Sequence, residues 1–250
     1  MAEVKPKGRQ AQLVCAWCGP ALVVLGLGGM LLAGILPIPP AADASLAETV
    51  GWYTANPNLV RFGLMTTSVG VSLIGPLSAL ITVYMLRMER GGAPILSILQ
   101  TICGAVTWVM LMVPMIMLNV AAFRPDRNPE LTQSLSDLAW ILFFTPVAPF
   151  LIQNFAIGAA ILGDRTHVLP RWVGYANFWT GLLFVPAFLA YFFKSGPFAW
   201  HGIFVFYLGT AVYGAWVLLM SLMLRRAILA DPAPSEPVVA DPAPSSSPTL

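Results

Sequence analysis

Four amide side chains are the residues of this sequence with the clearest potential to bind a ligand. They stand inside long apolar stretches and are Gln100, Gln153, Asn154 and Asn177. An amide offers hydrogen-bond donors and an acceptor without carrying a charge, so it can be kept in a low-dielectric interior. Such amides either hold membrane helices together or bind the polar end of an otherwise apolar ligand. The residues alone leave both interpretations open.

A second polar group stands at the ends of the apolar stretches and consists of Asn119, Asp137, Lys194 and His201. Asp137 beside Lys194 or His201 would form either an ion pair that closes a helix bundle or an acid and a base at the mouth of a pocket. We favour the ion pair, because charges at a membrane surface cost little and a long Lys side chain reaches water from there. The sequence therefore predicts no catalytic residue.

One pair of cysteines has the spacing of a redox or metal motif, but its surroundings favour packing over chemistry. Cys15 and Cys18 have Cys-x-x-Cys spacing, and Cys103 is the third cysteine. Redox or metal chemistry needs thiolates, whereas thiols in an apolar stretch stay protonated and pack like small apolar groups. His167 and His201 fall on opposite sides of the predicted bundle, so they cannot ligate one haem iron together. We therefore predict no metal and no cofactor.

The elements that must position these residues are six apolar stretches. Hydrophobic residues make up 58% of the chain and charged residues 10%, against about 45–50% and 25% in soluble domains. A helix needs roughly 20 apolar residues to cross the hydrocarbon core of a bilayer. The stretches that meet this requirement are 13–36, 60–86, 94–122, 138–162, 172–193 and 203–224. The sequence thus predicts an all-α, six-helix transmembrane bundle with short loops.

Charge within and between these stretches is distributed as a membrane protein requires. Arg61 is the only Asp, Glu, Lys, Arg or His inside them, so a proton or ion relay through the bundle is not expected. Nine of the 13 basic residues fall on the side of the termini, namely Lys5, Lys7, Arg9, Arg87, Arg90, Arg165, Arg171, Arg225 and Arg226. The other four are Arg61, Arg124, Arg127 and Lys194. Because cytoplasmic loops are enriched in Lys and Arg, we expect a multi-pass plasma-membrane protein with both termini in the cytoplasm.

This orientation also gives the depth of the amides. Counted from the cytoplasmic ends of their helices at 1.5 Å per residue, all four lie roughly 9–15 Å from the inner surface. Side chains at one depth on neighbouring helices can meet. We therefore expect the four amides to form an uncharged hydrogen-bonding cluster.

Local signals predict the remaining segments. Residues 1–12 are expected to form a cytoplasmic segment before an uncleaved first helix, because an apolar run of about 24 residues exceeds the 7–15 of a secretory signal. Ser45 and Glu48 have the spacing of a capping box, which predicts a loop helix over 46–53. Residues 227–250, in which ADPAPS occurs twice, are too rich in Pro, Ala and Ser to form a core. They are expected to be a disordered cytoplasmic tail.

Prolines occur within most of the predicted helices. They are Pro20, Pro76, Pro114, Pro146, Pro149 and Pro186. Each lacks a backbone donor and favours a kink. The Thr-Pro-Val-Ala-Pro run at 145–149 is expected to bend the fourth helix near its middle.

The second half of the chain contains three stretches with a familiar pattern. They are DLAW at 137–140, PRWVGYANFW at 170–179 and KSGPFAWHG at 194–202. These stretches resemble a group of uncharacterised bacterial multi-helix membrane proteins, which the rest of the chain resembles in layout. The resemblance implies a location in a bacterial inner membrane and brings no activity with it.

Three functions fit these observations. The first is a non-enzymatic protein of the lipid bilayer that binds or helps to move a small apolar molecule with its amide cluster. The second is a structural or accessory subunit that packs against a membrane partner or a second copy of itself. The third is a membrane enzyme that acts at the outer face through Asp137 and His201. The net charge of +2 gives no reason to expect nucleic acid as a partner.

Overall fold

The computed structural model describes residues 7–124, 126–145 and 147–231. In these ranges the chain contains helices and no strand, and six helical spans are long and apolar enough to cross a membrane. The spans are Gly8–Leu32, Pro57–Met88, Ile95–Phe123, Pro129–Gly163, Arg171–Tyr191 and Ile203–Ala230. The predicted all-α, six-helix bundle is thereby confirmed. The predicted tail lies outside the described residues from 232 onwards.

The first helix, α1 (Lys7–Leu32), ends before the predicted boundary at residue 36. Gly34 has a φ of +71°, a conformation that glycine adopts without strain. Its N–H donates to the carbonyl of Leu31 (3.1 Å), and the N–H of Ile35 donates to the carbonyl of Met30 (2.9 Å). This pair of bonds is a Schellman motif, which satisfies the last carbonyls and ends the helix.

A short helix, α2 (Leu46–Ala55), follows in the first loop and begins with the predicted capping box. The Glu48 carboxylate accepts from the N–H of Ser45 (2.7 Å), and the Ser45 hydroxyl accepts from the N–H of Glu48 (3.3 Å). Hydrogen bonds from the Ser45 side chain and then its backbone hold the pKa of Glu48 below its usual value. The carboxylate is therefore the form that this turn stabilises.

Seven further α-helices complete the bundle. They are α3 (Pro57–Ser72), α4 (Ile74–Met88), α5 (Ile95–Phe123), α6 (Pro129–Phe144), α7 (Val147–Gly163), α8 (Arg171–Leu183) and α9 (Leu208–Ala230). The second span combines α3 with α4, and the fourth combines α6 with α7. In the fifth span α8 continues as a 3₁₀ helix, Val185–Tyr191, and a π-helical turn, Ile203–Tyr207, opens the sixth.

Three of these interruptions lie at a proline. A proline ring clashes with the carbonyl four residues earlier and offers no N–H to it. The residue pairs are Ser72 with Pro76, Thr145 with Pro149 and Leu182 with Pro186, each at or beside the end of a helix. By contrast, α1 and α5 continue through Pro20 and Pro114. The structure thus has an interruption at the expected bend of the fourth span; Pro146 itself lies outside the described residues.

Close backbone contact joins α1 to α3. A Cβ added to Gly63 would stand 2.3 Å from the nitrogen of Ala33, and one added to Gly29 would stand 2.5 Å from the nitrogen of Thr67. Only glycine fits at such distances, and small residues of this kind let membrane helices approach closely. These two positions therefore fix how α1 lies against α3.

Arg61 is accommodated at a helix end. Its guanidinium donates to the carbonyls of Ala122 (2.8 Å) and Phe123 (3.0 Å), the last residues of α5. A cation is favourable there because the final carbonyls of a helix carry partial negative charge. The charge within the second span thereby caps a neighbouring helix.

Candidate functional site

An apolar cavity of about 100 Å³ lies among α1, α3, α6 and α9. We call it the first cavity. Its lining from α1 and α3 comprises Leu22, Val23, Gly26, Leu27, Met30, Thr67 and Val71. The other lining residues are Leu111, Phe143, Phe144, Phe184, Gly209, Thr210, Tyr213 and Gly214. Aliphatic and aromatic groups thus form most of the wall.

Glycines create much of this space. A Cβ added to Gly26 or Gly214 would meet no atom within 4 Å, and one added to Gly209 would meet only a Phe184 carbon at 3.9 Å. Leu27, which is 39% exposed, stands on the rim. The first cavity therefore reaches the surface of the bundle along the seam between α1 and α9.

A smaller second cavity of about 40 Å³ adjoins the first. The two share the lining residues Leu111, Phe143, Phe144, Phe184 and Tyr213. Thr107 of α5 and Phe150 of α7 line only the second cavity. We call the two adjoining cavities the path; the first opens at the seam, and the second adds lining from α5 and α7.

The Tyr213 hydroxyl is the polar group that distinguishes this path. Its oxygen is buried and has no hydrogen-bond partner in the part of the chain that the structure describes. The hydroxyls of Thr67 and Thr107 instead donate to carbonyls of their own helices, those of Gly63 (3.0 Å) and Cys103 (2.8 Å). Burying a hydroxyl without a partner is unfavourable, so Tyr213 is a group that a bound molecule could satisfy.

Two of the four amides hold helices together. The Gln100 carbonyl oxygen accepts from the Thr82 hydroxyl (2.7 Å), and its amide nitrogen donates to the Ser78 hydroxyl (3.1 Å), which joins α5 to α4. The Asn177 carbonyl oxygen accepts from the indole N–H of Trp216 (2.9 Å), which joins α8 to α9. These contacts match the first interpretation of the amides, as links between helices.

The other two amides carry unpartnered oxygens. Gln153 Oε1 and Asn154 Oδ1 are buried without a donor among the described residues, and their side chains are 2% and 0% exposed. The Asn154 nitrogen donates to the carbonyl of Phe150 (2.9 Å) in its own helix. These two oxygens are acceptors in the core that remain available to a donor.

The predicted amide cluster is only partly assembled. The amide nitrogens of Gln153 and Gln100 stand 3.0 and 3.5 Å from the Cβ position of Gly104, so both side chains lie beside this glycine. Asn154 packs instead beside Gly181 of α8. No hydrogen bond joins any two of the four amides in the described ranges. All four are buried, but the hydrogen bonds that they make go to other residues.

None of the four amides lines either cavity. The second cavity nevertheless approaches their level. Thr107 lies three residues beyond Gly104 on α5, and Phe150 lies four before Asn154 on α7. Each offset is about one helical turn, or roughly 5.4 Å. The second cavity is therefore about one helical turn along α5 and α7 from the level of Gly104 and Asn154.

The second predicted group is dispersed. His201 Nδ1 accepts from the N–H of Ala42 (2.9 Å) and so ties down the first loop. The Asn119 amide donates to the carbonyl of Met115 in its own helix (2.8 Å). Lys194 acts on Asp137 electrostatically, but the two form no ion pair within 4 Å; the one such pair in the described ranges is Arg87 with Asp231. The structure thus assembles neither the expected ion pair nor an acid and base.

Two features of the candidate site were missed by sequence reasoning. Tyr213 resembled any aromatic residue of an apolar helix, and Gly26, Gly209 and Gly214 resembled ordinary packing positions. Glycines within predicted spans were the available signal, but whether a glycine contacts a helix or opens a space depends on its neighbours.

The three cysteines are free thiols.

Comparisons with known proteins identified no relative of this chain. The chain matches no protein-family model, no curated protein and no solved structure. The resemblance in residues 137–140, 170–179 and 194–202 therefore stays a prediction.

Proposed function

We propose that this protein binds a small, mostly apolar molecule inside its helix bundle, in a bacterial plasma membrane with both termini in the cytoplasm. The observation that carries the proposal is the pair of adjoining apolar cavities lined by Tyr213, whose hydroxyl is buried without a partner among the described residues. Apolar walls take up the body of a ligand, and a single polar group fixes its orientation.

The size of the path suggests the size of the ligand. The two cavities measure about 100 and 40 Å³, and a cavity of about 150 Å³ with aliphatic and aromatic walls binds benzene. A six-membered ring or a short branched chain fits this space. The proposed ligand carries one hydroxyl or carbonyl group that pairs with Tyr213.

The route of entry follows from the position of the mouth. The rim at Leu27 lies on the seam between α1 and α9, which faces lipid in a membrane-spanning bundle. An apolar molecule partitions into the bilayer, so it would enter sideways without crossing water. Gln153 and Asn154, one turn beyond the second cavity, offer acceptors to a ligand that reaches further or is being moved through the bundle.

Binding fits the lining better than catalysis does. Tyr213 is the one ionisable side chain among the described residues that line the two cavities. General acid and base catalysis needs titratable groups within hydrogen-bond reach of the reacting atoms. Asp137 and His201, the residues of the enzyme hypothesis, line neither cavity.

A matched pair of glycines on α1 tests the proposal. Gly26 lines the first cavity and Gly28 does not, yet a Cβ at either position meets nothing within 4 Å. Gly26→Leu therefore fills the cavity, whereas Gly28→Leu adds the same side chain outside it. The probe is a phenyl diazirine, a photoreactive apolar ring, added to the purified protein in lipid nanodiscs, with labelled positions mapped by mass spectrometry.

We expect labelling of the cavity residues Leu111 and Phe143 in the wild type and in Gly28→Leu. Gly26→Leu should reduce that labelling by roughly tenfold, the equivalent of about 1.4 kcal/mol. Equal labelling of Leu111 and Phe143 in all three proteins would show that the ring does not enter between α1 and α9.

A further inference from the structure

A polar pocket of about 520 Å³ lies at the end of the bundle where α1 begins and α9 ends. It is bounded by the ends of α4 and α9 and by the connection between α7 and α8. We call it the arginine pocket, because Arg87, Arg90 and Arg165 line it. It stands apart from the two apolar cavities and shares no lining residue with them.

The three arginines differ in how they are held. Arg87 forms an ion pair with Asp231 (2.6 Å) and lies over the ring of Tyr84, 4.6 Å from its centre. Arg90 and Arg165 are exposed and make no ion pair or side-chain hydrogen bond within the described ranges. Two guanidinium groups are therefore available to a ligand beside a third that is fixed in place.

The carboxylates of the pocket are already engaged by the protein. Burial of Asp164 opposes its ionisation, but hydrogen bonds from Thr166 and Val168 outweigh that effect and lower its pKa. Its oxygens accept from the hydroxyl (2.6 Å) and N–H (2.8 Å) of Thr166 and from the N–H of Val168 (2.8 Å). Asp231 is paired with Arg87. Three cations and two engaged anions leave the pocket with a net charge of +1. Arg87 and Asp231 cancel, and the two charges of Arg90 and Arg165 exceed the single charge of Asp164.

The pocket also lies at the level of a membrane surface. The second and fourth spans end at Met88 and Gly163, and both residues line the pocket. Met88 and Val168 add apolar surface beside the arginines. A guanidinium binds phosphate oxygens in pairs, and basic pockets between transmembrane helices bind lipid headgroups.

From these observations we infer that the arginine pocket binds the phosphodiester headgroup of an anionic phospholipid. One phosphodiester charge neutralises the net +1 of the pocket. The ammonium of a zwitterionic headgroup would find no free carboxylate, because Asp164 and Asp231 are both engaged. The inference does not rest on the proposed ligand of the apolar cavities, so each can fail without the other.

The test compares lipids on the whole purified protein. The wild type is exchanged into an equimolar mixture of phosphatidylglycerol and phosphatidylcholine, and native mass spectrometry counts the lipids that stay bound. We expect phosphatidylglycerol to be retained preferentially. Arg90→Gln and Arg165→Gln should each reduce that retention by about fivefold, because one basic residue near an anionic lipid contributes about 1 kcal/mol of binding free energy.

Arg226→Gln is the matched control. Arg226 is a basic, exposed residue at the same end of the bundle but does not line the pocket, so this variant should retain phosphatidylglycerol within twofold of the wild type. An equal loss in Arg226→Gln would mean diffuse surface charge and would overturn the inference. All three positions are exposed, so the melting temperature of each variant should confirm that it is folded.

A soluble phosphate compound is the other possible source of the same chemistry. Millimolar glycerol 3-phosphate should leave the bound phosphatidylglycerol in place, since it lacks the acyl chains that the bilayer holds beside Met88 and Val168. Displacement of the lipid by glycerol 3-phosphate would overturn the lipid assignment and identify a site for soluble phosphates. Equal retention of phosphatidylcholine would overturn the inference altogether.

Discussion

Tyr213 is the residue that gives the proposed site its selectivity. Its hydroxyl is a buried polar group of the path with no hydrogen-bond partner among the described residues, and a net hydrogen bond contributes about 1 kcal/mol. Acetophenone carries a carbonyl that can pair with this hydroxyl, and toluene does not. We predict that the ratio of their potencies as competitors of the phenyl diazirine, acetophenone over toluene, is about fivefold higher in the wild type than in Tyr213→Phe. Comparing this ratio between the two proteins cancels differences in membrane partitioning.

The same substitution makes a prediction about stability. Because the hydroxyl has no partner in the described structure, removing it relieves a desolvation cost instead of breaking a hydrogen bond. Tyr213→Phe should melt at the same temperature as the ligand-free wild type or higher. A marked loss of stability would show that the hydroxyl is already hydrogen bonded and is not available to a ligand.

The lowered pKa of Asp164 makes the stability of the fold depend on pH. Its pKa in the folded protein lies below the unfolded value of about 3.9, so the carboxylate stabilises the fold fully above that value. The contribution is lost as pH falls through the folded-state pKa. Asp164→Asn should lower the free energy of unfolding by about 1–3 kcal/mol at pH 7 and reduce the loss of stability as pH falls below about 4, measured by thermal melting in detergent.

At this scale the sequence predicted which residues are buried but not their partners. The four amides are 0–2% exposed, as neutral polar groups within apolar stretches should be. Their partners Thr82 and Trp216 come from other helices, and no spacing along the chain predicts such contacts. Tyr213 could not be singled out, since whether its hydroxyl has a partner depends on side chains far away in the sequence.

Among the helices, the contact between α1 and α3 depends on Gly63. A Cβ there would stand 2.3 Å from a backbone nitrogen, and backbone cannot move aside as a side chain can. Gly63→Ala should destabilise the protein by about 1–3 kcal/mol. Gly28→Ala, where a Cβ meets nothing, is the control and should melt at the temperature of the wild type or slightly above it, because alanine favours a helix more than glycine does; similar melting of both variants would contradict the close contact.

The start of α5 depends on a carboxylate from the preceding loop. Glu89 accepts from the N–H groups of Leu96 (3.0 Å) and Ser97 (2.8 Å), and from the Ser97 hydroxyl. Removing a cap of this kind costs about 1 kcal/mol. We expect Glu89→Ala to lower the melting temperature and Glu89→Gln, which keeps an acceptor, to lower it less. The reverse order would argue against capping.

Helix ends were predictable where the signal was local. The Ser45 and Glu48 capping box was read correctly because both partners lie within one turn. The end of α1 was placed too late because residues 33–36 are apolar, whereas the Schellman motif at Gly34 ends the helix. The prolines predicted interruptions, but only packing decides that Pro76, Pro149 and Pro186 lie at breaks while α5 runs through Pro114.

For the whole molecule, apolar length and composition were enough to predict six spans. The order in which the spans pack was not predictable, and the candidate site depends on it. The first cavity requires α1 to lie beside both α3 and α9, a relation between residues far apart in the chain. Orientation in the membrane, which rests on the nine basic residues at the terminal end, stays a prediction.

Cysteine labelling tests that orientation. In a variant whose three cysteines are replaced by alanine, we expect Ser195→Cys to react with a membrane-impermeant maleimide in intact cells. Gly92→Cys, at the opposite end of the bundle, should react only after the cells are lysed. Both positions are exposed, so accessibility from water does not distinguish them. Labelling of Gly92→Cys in intact cells would reverse the proposed topology.

The central claim is that the bundle holds a small apolar molecule between α1 and α9. The most direct measurement is organic extraction of the purified protein, followed by mass spectrometry of whatever was bound. We predict one compound of low polarity that copurifies in near-stoichiometric amount with the wild type and with Gly28→Leu and is depleted from Gly26→Leu. The same compound at the same level in Gly26→Leu, or no compound in any of the three proteins, would contradict the account.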